Sequence, residues 1–481
     1  MLKKTIRKKI YIIFLLVVCS IFILGFHFNQ RKAYASYDSG DDNVFDRIDA
    51  YLSDAAFKAH FPSMSVTIVD KEDVLLSKTY GSCKSTATPF LLGSVSKSFT
   101  ALCIMQLAEQ GKIDLDANIA EYLPDATDGS QITVRQLLNH TGGLGEHQNL
   151  ENYRIVGKQS VHTYANVNYA LLGKIVEAVS NKSYESYVTE NIFDPLKMSH
   201  SAATLEKSVE NGLIDGYENW FGFNTKTKPK YPKDDGAWIS VPAGYLSAST
   251  ADLGKYLQMY LNGGQGIISS ESIEKMFYEN VSVDASIPYR YSMGWTFIEA
   301  PLKEPALRHS GLVETGMSVI YILPESEIGI AIAVNTNDYF VGKDLMDRID
   351  WSVALMLMGD EPNQIRGSEY ATRHLFYDLI YSAVLIISVL PFCLLRIYKK
   401  RLKTGSPALK TAVLILLHLI LPILILLLPQ MAFSTPLWVV RAFVPDMFTT
   451  IVVSATLLFA GGIIKATVLI TRRFAKNLSD N

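Results

Sequence analysis

Two Ser-x-x-Lys quartets occur in this chain, Ser94-Val95-Ser96-Lys97 and Ser272-Ile273-Glu274-Lys275. On a helix the two ends of such a quartet share a face, so a lysine amine can meet a serine hydroxyl. The hydroxyl becomes a nucleophile only when a base takes its proton. A desolvated lysine with a lowered pKa is one such base, and a tyrosinate stabilised by a lysine cation is another. Chance supplies about one or two such quartets in a chain of this length and ordinary composition, so context must choose between them. Ser94 follows Gly93 and the apolar Phe90-Leu91-Leu92 where a helix begins, with the positive end of that helix facing any oxyanion formed there. Ser272 sits among Ser269, Ser270, Glu271 and Glu274, the composition of a polar N-cap.

The same test sorts two further motifs. Tyr-x-Asn occurs at Tyr164-Ala165-Asn166, Tyr217-Glu218-Asn219, Tyr260-Leu261-Asn262 and Tyr278-Glu279-Asn280. Only the first immediately precedes an apolar helix, residues 169–179, from which polar groups could face a cleft. His-x-Gly occurs twice. His309-Ser310-Gly311 stands before the β-rich residues 317–322 and their hairpin partner 328–334, which places it at a sheet edge. His140-Thr141-Gly142 ends the helix containing Leu137 and Leu138, with Gly142 and Gly143 as its C-cap, so His140 reads as structural. No Cys/His spacing fits a metal site and no Gly-rich loop links a strand to a helix, so neither metal nor cofactor is expected.

The elements that must position these groups are legible in outline. An amphipathic helix over residues 45–58 precedes β-rich runs at 64–69 and 74–79, turned by Asp70-Lys71-Glu72-Asp73. Helical patterns follow at 94–110, 133–138, 169–179, 183–192 and 250–261. Strand character returns only at 291–298, 317–322 and 328–334, before a helix at 344–357. Strands at both ends with helices between predict one antiparallel sheet with an inserted helical subdomain. Residues 222–235, rich in Lys and Pro, read as a surface loop, or else as a border of the cleft.

Taken in order, Ser94-x-x-Lys97, Tyr164-x-Asn166 and His309-x-Gly311, with Leu137-Leu138-Asn139-His140-Thr141-Gly142-Gly143-Leu144 and Pro242-Ala243-Gly244-Tyr245-Leu246 between them, resemble the penicillin-recognising serine hydrolases related to class C β-lactamases. The resemblance covers residues 45–358. It implies an α/β fold, an antiparallel sheet flanked by helices with an all-helical subdomain, and an active site between the two. It further implies Ser94 as the nucleophile, Lys97 and Tyr164 as the pair that moves its proton, and Asn166, His309 and Gly311 as substrate-binding residues. The oxyanion hole would be the N–H groups of Ser94 and Leu312. Many relatives carry Lys where His309 stands. A neutral imidazole there implies weaker affinity for substrate carboxylates, and an ordinary histidine pKa implies activity that varies with pH near neutrality.

Composition adds the setting. Nearly half of the 481 residues are apolar (49%) and the mean hydropathy is positive, so the chain is too apolar for disorder and too long for one soluble domain. Residues 1–35 carry seven Lys/Arg and no acids, residues 371–481 twelve against three, and residues 36–370 hold 26 basic and 44 acidic side chains. An acidic middle argues against nucleic acid as a partner. Lys3, Lys4, Arg7, Lys8 and Lys9 before an apolar run and Ala33-Tyr34-Ala35 read as an export signal over 1–35, cleaved or retained as an anchor. A linker is expected at 36–43, the extracytoplasmic hydrolase domain at 44–358 and a second linker at 359–374. Residues 375–470 are then expected to hold three membrane helices, at 379–395, 411–428 and 448–470, and 471–481 a cytoplasmic tail. Arg396, Lys399, Lys400, Arg401 and Lys403 in the first loop and Arg472, Arg473 and Lys476 in the tail put those segments in the cytoplasm. Cys83 and Cys103 are expected as free thiols.

This domain order resembles the membrane-bound peptidases that remove N-acyl-D-asparagine caps from peptide prodrugs, as in colibactin maturation. Asn166, and Ser240 before Val241-Pro242-Ala243, depart from that pocket, so the D-asparagine preference does not carry over. The resemblance implies a hydrolase of a small peptide, ester or β-lactam, held at a lipid membrane. A penicillin-binding sensor, a cell-wall D,D-carboxypeptidase and a D-alanyl esterase stand as alternatives. No protein partner is read from the sequence.

Overall fold

The computed structural model describes residues 43–233, 236–402 and 406–479. The expected export signal lies outside them. Helix α1 (Val44–Lys58) opens on the Asn43 side chain, which accepts the Phe45 N–H at 3.1 Å. Strands β1 (Ser63–Val69) and β2 (Val74–Gly81) form the expected hairpin, and after the short β3 (Pro89–Leu91) a 3-10 turn, Gly93–Val95, runs into helix α2 (Ser96–Glu109). The inserted region contains helices α3 (Val134–Leu138) and α4 (Asn166–Ser180), a hairpin of β4 (Gly216–Trp220) and β5 (Phe223–Thr227), and the turn Val241–Tyr245. Strand β6 (Ser247–Ser249) and helices α5 (Thr250–Leu261) and α6 (Ser270–Tyr278) complete it. The chain then returns through β7 (Val281–Ser282), β8 (Tyr289–Ser292), β9 (Trp295–Ile298), β10 (Ala306–Val313), β11 (Gly316–Leu323) and β12 (Ile328–Val334), and helix α7 (Gly342–Leu357) follows.

The main sheet has eight strands in the order β2-β1-β12-β11-β10-β9-β8-β7. All its pairings are antiparallel, and β1 against β12 joins the two ends of the sequence with Val66 opposite Ile332. Alternation assigns the faces. Met64, Val66 and Ile68 join the core that α1 and α7 close with Leu52, Leu345 and Ile349. Ser65 and Thr67 point the other way, where both hydroxyls meet Thr250 Oγ1 of α5, at 2.6 and 3.1 Å. That second face carries the larger core, including α2 and α4. Helix α2 is buried from Ser96 to Leu107, so each of its polar groups needs a partner. Thr100 bonds to Tyr184 and to Pro242 O, both at 2.7 Å, and Ser98 accepts from Tyr256 OH at 3.1 Å.

Three readings change. Residues 291–298 are two strands, not one, because Met293 and Gly294 both take positive φ and turn the chain. His309 lies within a strand, β10, rather than before one. Residues 223–227 of the expected loop form β5.

Three C-terminal helices are long and apolar enough to cross a membrane: α8 (Glu369–Cys393), α9 (Pro407–Phe433) and, after the short α10 (Leu437–Phe443), α11 (Pro445–Ser479). One end of this bundle touches the sheet domain. Phe221 N–H donates to Asp446 at 3.1 Å, His374 pairs with Asp338 at 2.8 Å, and His147 Nε2 lies 2.9 Å from Ser434 O. Lys399 and Arg472 meet at the far end, where Arg472 donates to the Lys399 carbonyl at 2.7 Å.

Candidate active site

Ser94 stands on the 3-10 turn between β3 and α2, half-buried, with Lys97 one helical step along and fully buried. The Lys97 Nζ is 3.0 Å from Ser94 Oγ, 2.9 Å from Asn166 Oδ1 and 2.6 Å from the Ala243 carbonyl. No carboxylate is among these partners. Burial alone holds the Lys97 amine well below the usual lysine range. Burial is what favours the neutral amine, in which two N–H groups would meet the two carbonyl oxygens and leave the lone pair for the hydroxyl. The Tyr164 ring lies 4.9 Å from Nζ. Burial raises the Tyr164 hydroxyl, and a hydrogen bond with Ser94 works against that rise.

Strand β10 forms the opposite wall. Its period of two sends Leu307, His309 and Gly311 toward the helical subdomain, and Arg308 toward α7, where it bonds to Asp347 at 2.8 Å and Asp350 at 2.7 Å. Gly311 is required there, since a Cβ would fall 1.8 Å from Leu92 O. Gly93, at φ +54, presses on the same strand, and a Cβ on it would lie 2.3 Å from Leu312 N. Close glycine contact thus brings the Ser94 turn against Leu312.

His309 is buried and spent on protein partners. Its Nδ1–H donates to Ser310 O at 2.9 Å and its Nε2 accepts from Tyr291 OH at 3.2 Å. Burial, with the charge of Lys97, pushes it down to about 3. The expected titration near neutrality is therefore overturned, because desolvation, with the Lys97 and Arg308 cations nearby, favours the neutral imidazole.

Ser94, Lys97, Tyr164, Asn166, His309, Gly311 and Leu312 are brought together, while Ser272 N-caps nothing and sits on α6, where its N–H is capped by Ser269. Sequence reasoning missed a layer behind Tyr164. His140, read as structural, is fully buried with its ring 4.4 Å from Tyr164 and 4.9 Å from Tyr291. Its Nδ1 accepts from Asn168 at 2.8 Å and from the Ala165 N–H at 3.3 Å, which orders the turn that carries Tyr164 and Asn166. His162 joins this cluster 5.3 Å from Tyr291, pushed down to about 4 by burial. The expected C-cap at Gly142 and Gly143 falls earlier: the C-cap of helix α3 is Asn139, and His140 itself takes the left-handed φ of 56.

A serine and a buried lysine lie together under a β-strand, between an antiparallel sheet and a helical subdomain. The chain belongs to the Beta-lactamase family, whose model matches residues 43–355. Protein flp of Staphylococcus aureus (strain MRSA252) is 27% identical over 330 residues, 62% of this chain and 64% of that protein. Teichoic acid D-alanine hydrolase of the same strain is 32% identical over 203 residues, 38% of this chain and 49% of that protein. This chain therefore spans less than two thirds of the length of either relative. A class C β-lactamase solved with cefoxitin superposes with a TM-score of 0.54 at 17% identity, over 66% of this chain and 98% of the other, a likeness of fold.

Proposed function

We propose that this chain is a membrane-anchored hydrolase of the outer face that forms an acyl-enzyme on Ser94 and releases D-aminoacyl groups from esters or amides. The observation that carries this reading is the buried Lys97 amine, bonded to two carbonyl oxygens and aimed at Ser94 Oγ. Lys97 accepts the Ser94 proton as Oγ attacks the substrate carbonyl. The oxyanion settles on the N–H groups of Ser94 and Leu312. Tyr164, in contact with Ser94, returns a proton to the leaving group, and the same pair then deprotonates the water that frees the enzyme. Asn166 holds Lys97 through Oδ1 and offers Nδ2 to a substrate carbonyl.

Substrate class follows from His309. An uncharged imidazole with both nitrogens engaged gives no cation to a free carboxylate, which disfavours penicillins and carboxypeptidase substrates and favours acyl groups lacking that carboxylate. The relative named as a teichoic acid D-alanine hydrolase supports D-alanyl esters. The bundle end that touches the sheet domain lies opposite the Lys399 and Arg472 end, and this supports a hydrolase domain on the outer face with a cytoplasmic tail. Residues 44–358 serve as the hydrolase domain in this reading.

The test is release of D-alanine from a water-soluble D-alanyl ester by the full-length protein in detergent. Ser94→Ala abolishes release and Ser272→Ala retains it. Activity surviving in Ser94→Ala would overturn the assignment.

A further inference from the structure

The segment that leads into the Lys97-holding turn is gripped by the membrane region. Ala243 O, which accepts from Lys97, lies in the turn Val241–Tyr245. Just before it, Ile239 packs on Gly244: a Cβ there would be 2.5 Å from Ile239 Cγ2 and 3.7 Å from the Gly93 carbonyl carbon. Ile239 thus sits beside the residue that precedes the nucleophile. Its neighbour Trp238 rests edge-on against Trp438 of α10 at 5.0 Å and lies 6.1 Å from Phe443. Trp238 also donates its indole N–H to Glu146 O at 2.9 Å. His147 closes the ring, 5.6 Å from Trp238, 6.1 Å from Trp438 and hydrogen-bonded to Ser434 O. Two loops of the hydrolase domain, around residues 146–149 and 236–241, are bonded to each other by Asn149 to Gly236 O at 2.7 Å, and both rest on the α9–α10 connection.

That connection is a membrane-surface element. Met431 and Phe433 at the end of α9 are exposed, and Trp438 is 47% exposed although it touches Trp238. Tryptophan at a helix end belongs at the lipid–water boundary. Arg441 follows Trp438 by three residues on the same face of α10, a cation at headgroup level.

We infer that the approach to Ser94 is walled by Ser434, Trp438 and Trp238 at the outer-leaflet surface, and that the substrate is an amphiphile: a D-aminoacyl ester on an anionic headgroup whose lipid lies in the same membrane. The inference rests on the Ser94 acyl-enzyme reading and narrows it. The acyl group enters the cleft past Trp238 while the lipid tails stay beside Trp438 and Phe433.

The experiment compares two esters with full-length protein in phosphatidylcholine vesicles: D-alanyl glycerol in the water and D-alanyl phosphatidylglycerol in the bilayer. The wild type prefers the lipid ester by about tenfold or more in kcat/KM, the scale of burying one large aromatic contact. Trp438→Ala cuts that preference by about fivefold through KM, and Trp438→Phe keeps most of it. Equal use of the two esters overturns the inference, as does an equal loss on both in Trp438→Ala, which would mark a purely structural contact. Ser94-dependent cleavage of the soluble ester with no lipid preference removes this inference and leaves the Ser94 reading intact. Failure to cleave either ester, with no acyl group on Ser94, removes both.

Discussion

Lys97 concentrates the chemistry in one amine whose charge state burial decides. The proposed mechanism needs it neutral, so activity is expected above its lowered pKa and lost as pH falls through that value. His309 contributes nothing to this acid limb, since burial and Lys97 keep it neutral down to about pH 3. His309→Lys tests the separation. A cation there would oppose protonation of Lys97, so the acid limb of kcat/KM moves to lower pH, and affinity for a carboxylate-bearing penicillin rises by about tenfold. An acid limb that stays in place and a penicillin affinity that does not change would refute it, with kcat/KM profiles and acylation rates as the readouts. At this scale the sequence displayed Ser94 and Lys97 because a spacing of three residues, across the 3-10 turn into α2, brings them together. It hid His140 and Tyr291 because their approach to Tyr164 is long-range, and no local pattern ties residues 140, 164 and 291.

Strand β10 does two jobs, and that is why it could not be read from its pattern. Strands β1, β11 and β12 announce themselves through runs of Val and Ile, buried on both faces. Strand β10 instead reads Ala306-Leu307-Arg308-His309-Ser310-Gly311-Leu312-Val313. Its polar residues point toward the cleft on one face and, through Arg308, to buried Asp350 on the other, so neither face looks apolar. The turn between β8 and β9 was hidden too, since Met293-Gly294 lacks the usual Asn-Gly signature. Packing rather than propensity sets β10, and Gly311 is the point of closest approach. In Gly311→Ala the new Cβ meets the Leu92 carbonyl, a backbone atom that cannot swing away. The strand must retreat from the Ser94 turn, and an ångström of misplacement costs about a hundredfold in rate. We expect kcat/KM for the soluble D-alanyl ester to fall by about that factor, with a lower melting temperature. Near-normal activity would mean that Leu312 is not an oxyanion donor.

The junction between the sheet domain and the membrane helices is built as an interface, although residues 359–374 were expected to be a linker. Helix α8 starts at Glu369, and Tyr370 stacks on His60 at 4.4 Å, accepts from Asn219 at 2.8 Å and donates to Gly222 O at 3.2 Å. Arg373 pairs with Asp344 at 2.6 Å and His374 with Asp338. Polar residues ahead of an apolar helix look alike in a sequence whether they face water or bond another domain, so the pattern could not reveal this contact. A rigid junction is what a membrane-built wall beside Trp238 requires, because a loosely tethered domain could not keep α10 in register with the cleft. Tyr370→Ala in the full-length protein probes it. The exposed Arg366 lies just upstream, so trypsin cleavage after Arg366 reports local opening of the junction. Losing the stack and two hydrogen bonds costs about 1–2 kcal/mol, which raises the open population and the cleavage rate about 5- to 30-fold. The soluble D-alanyl ester is still turned over, since Ser94, Lys97 and β10 are held within the sheet domain, while preference for the lipid ester declines with the loosened wall. Unchanged cleavage at Arg366 would mean the two parts are not locked, and the lipid preference would then have to arise inside the sheet domain alone.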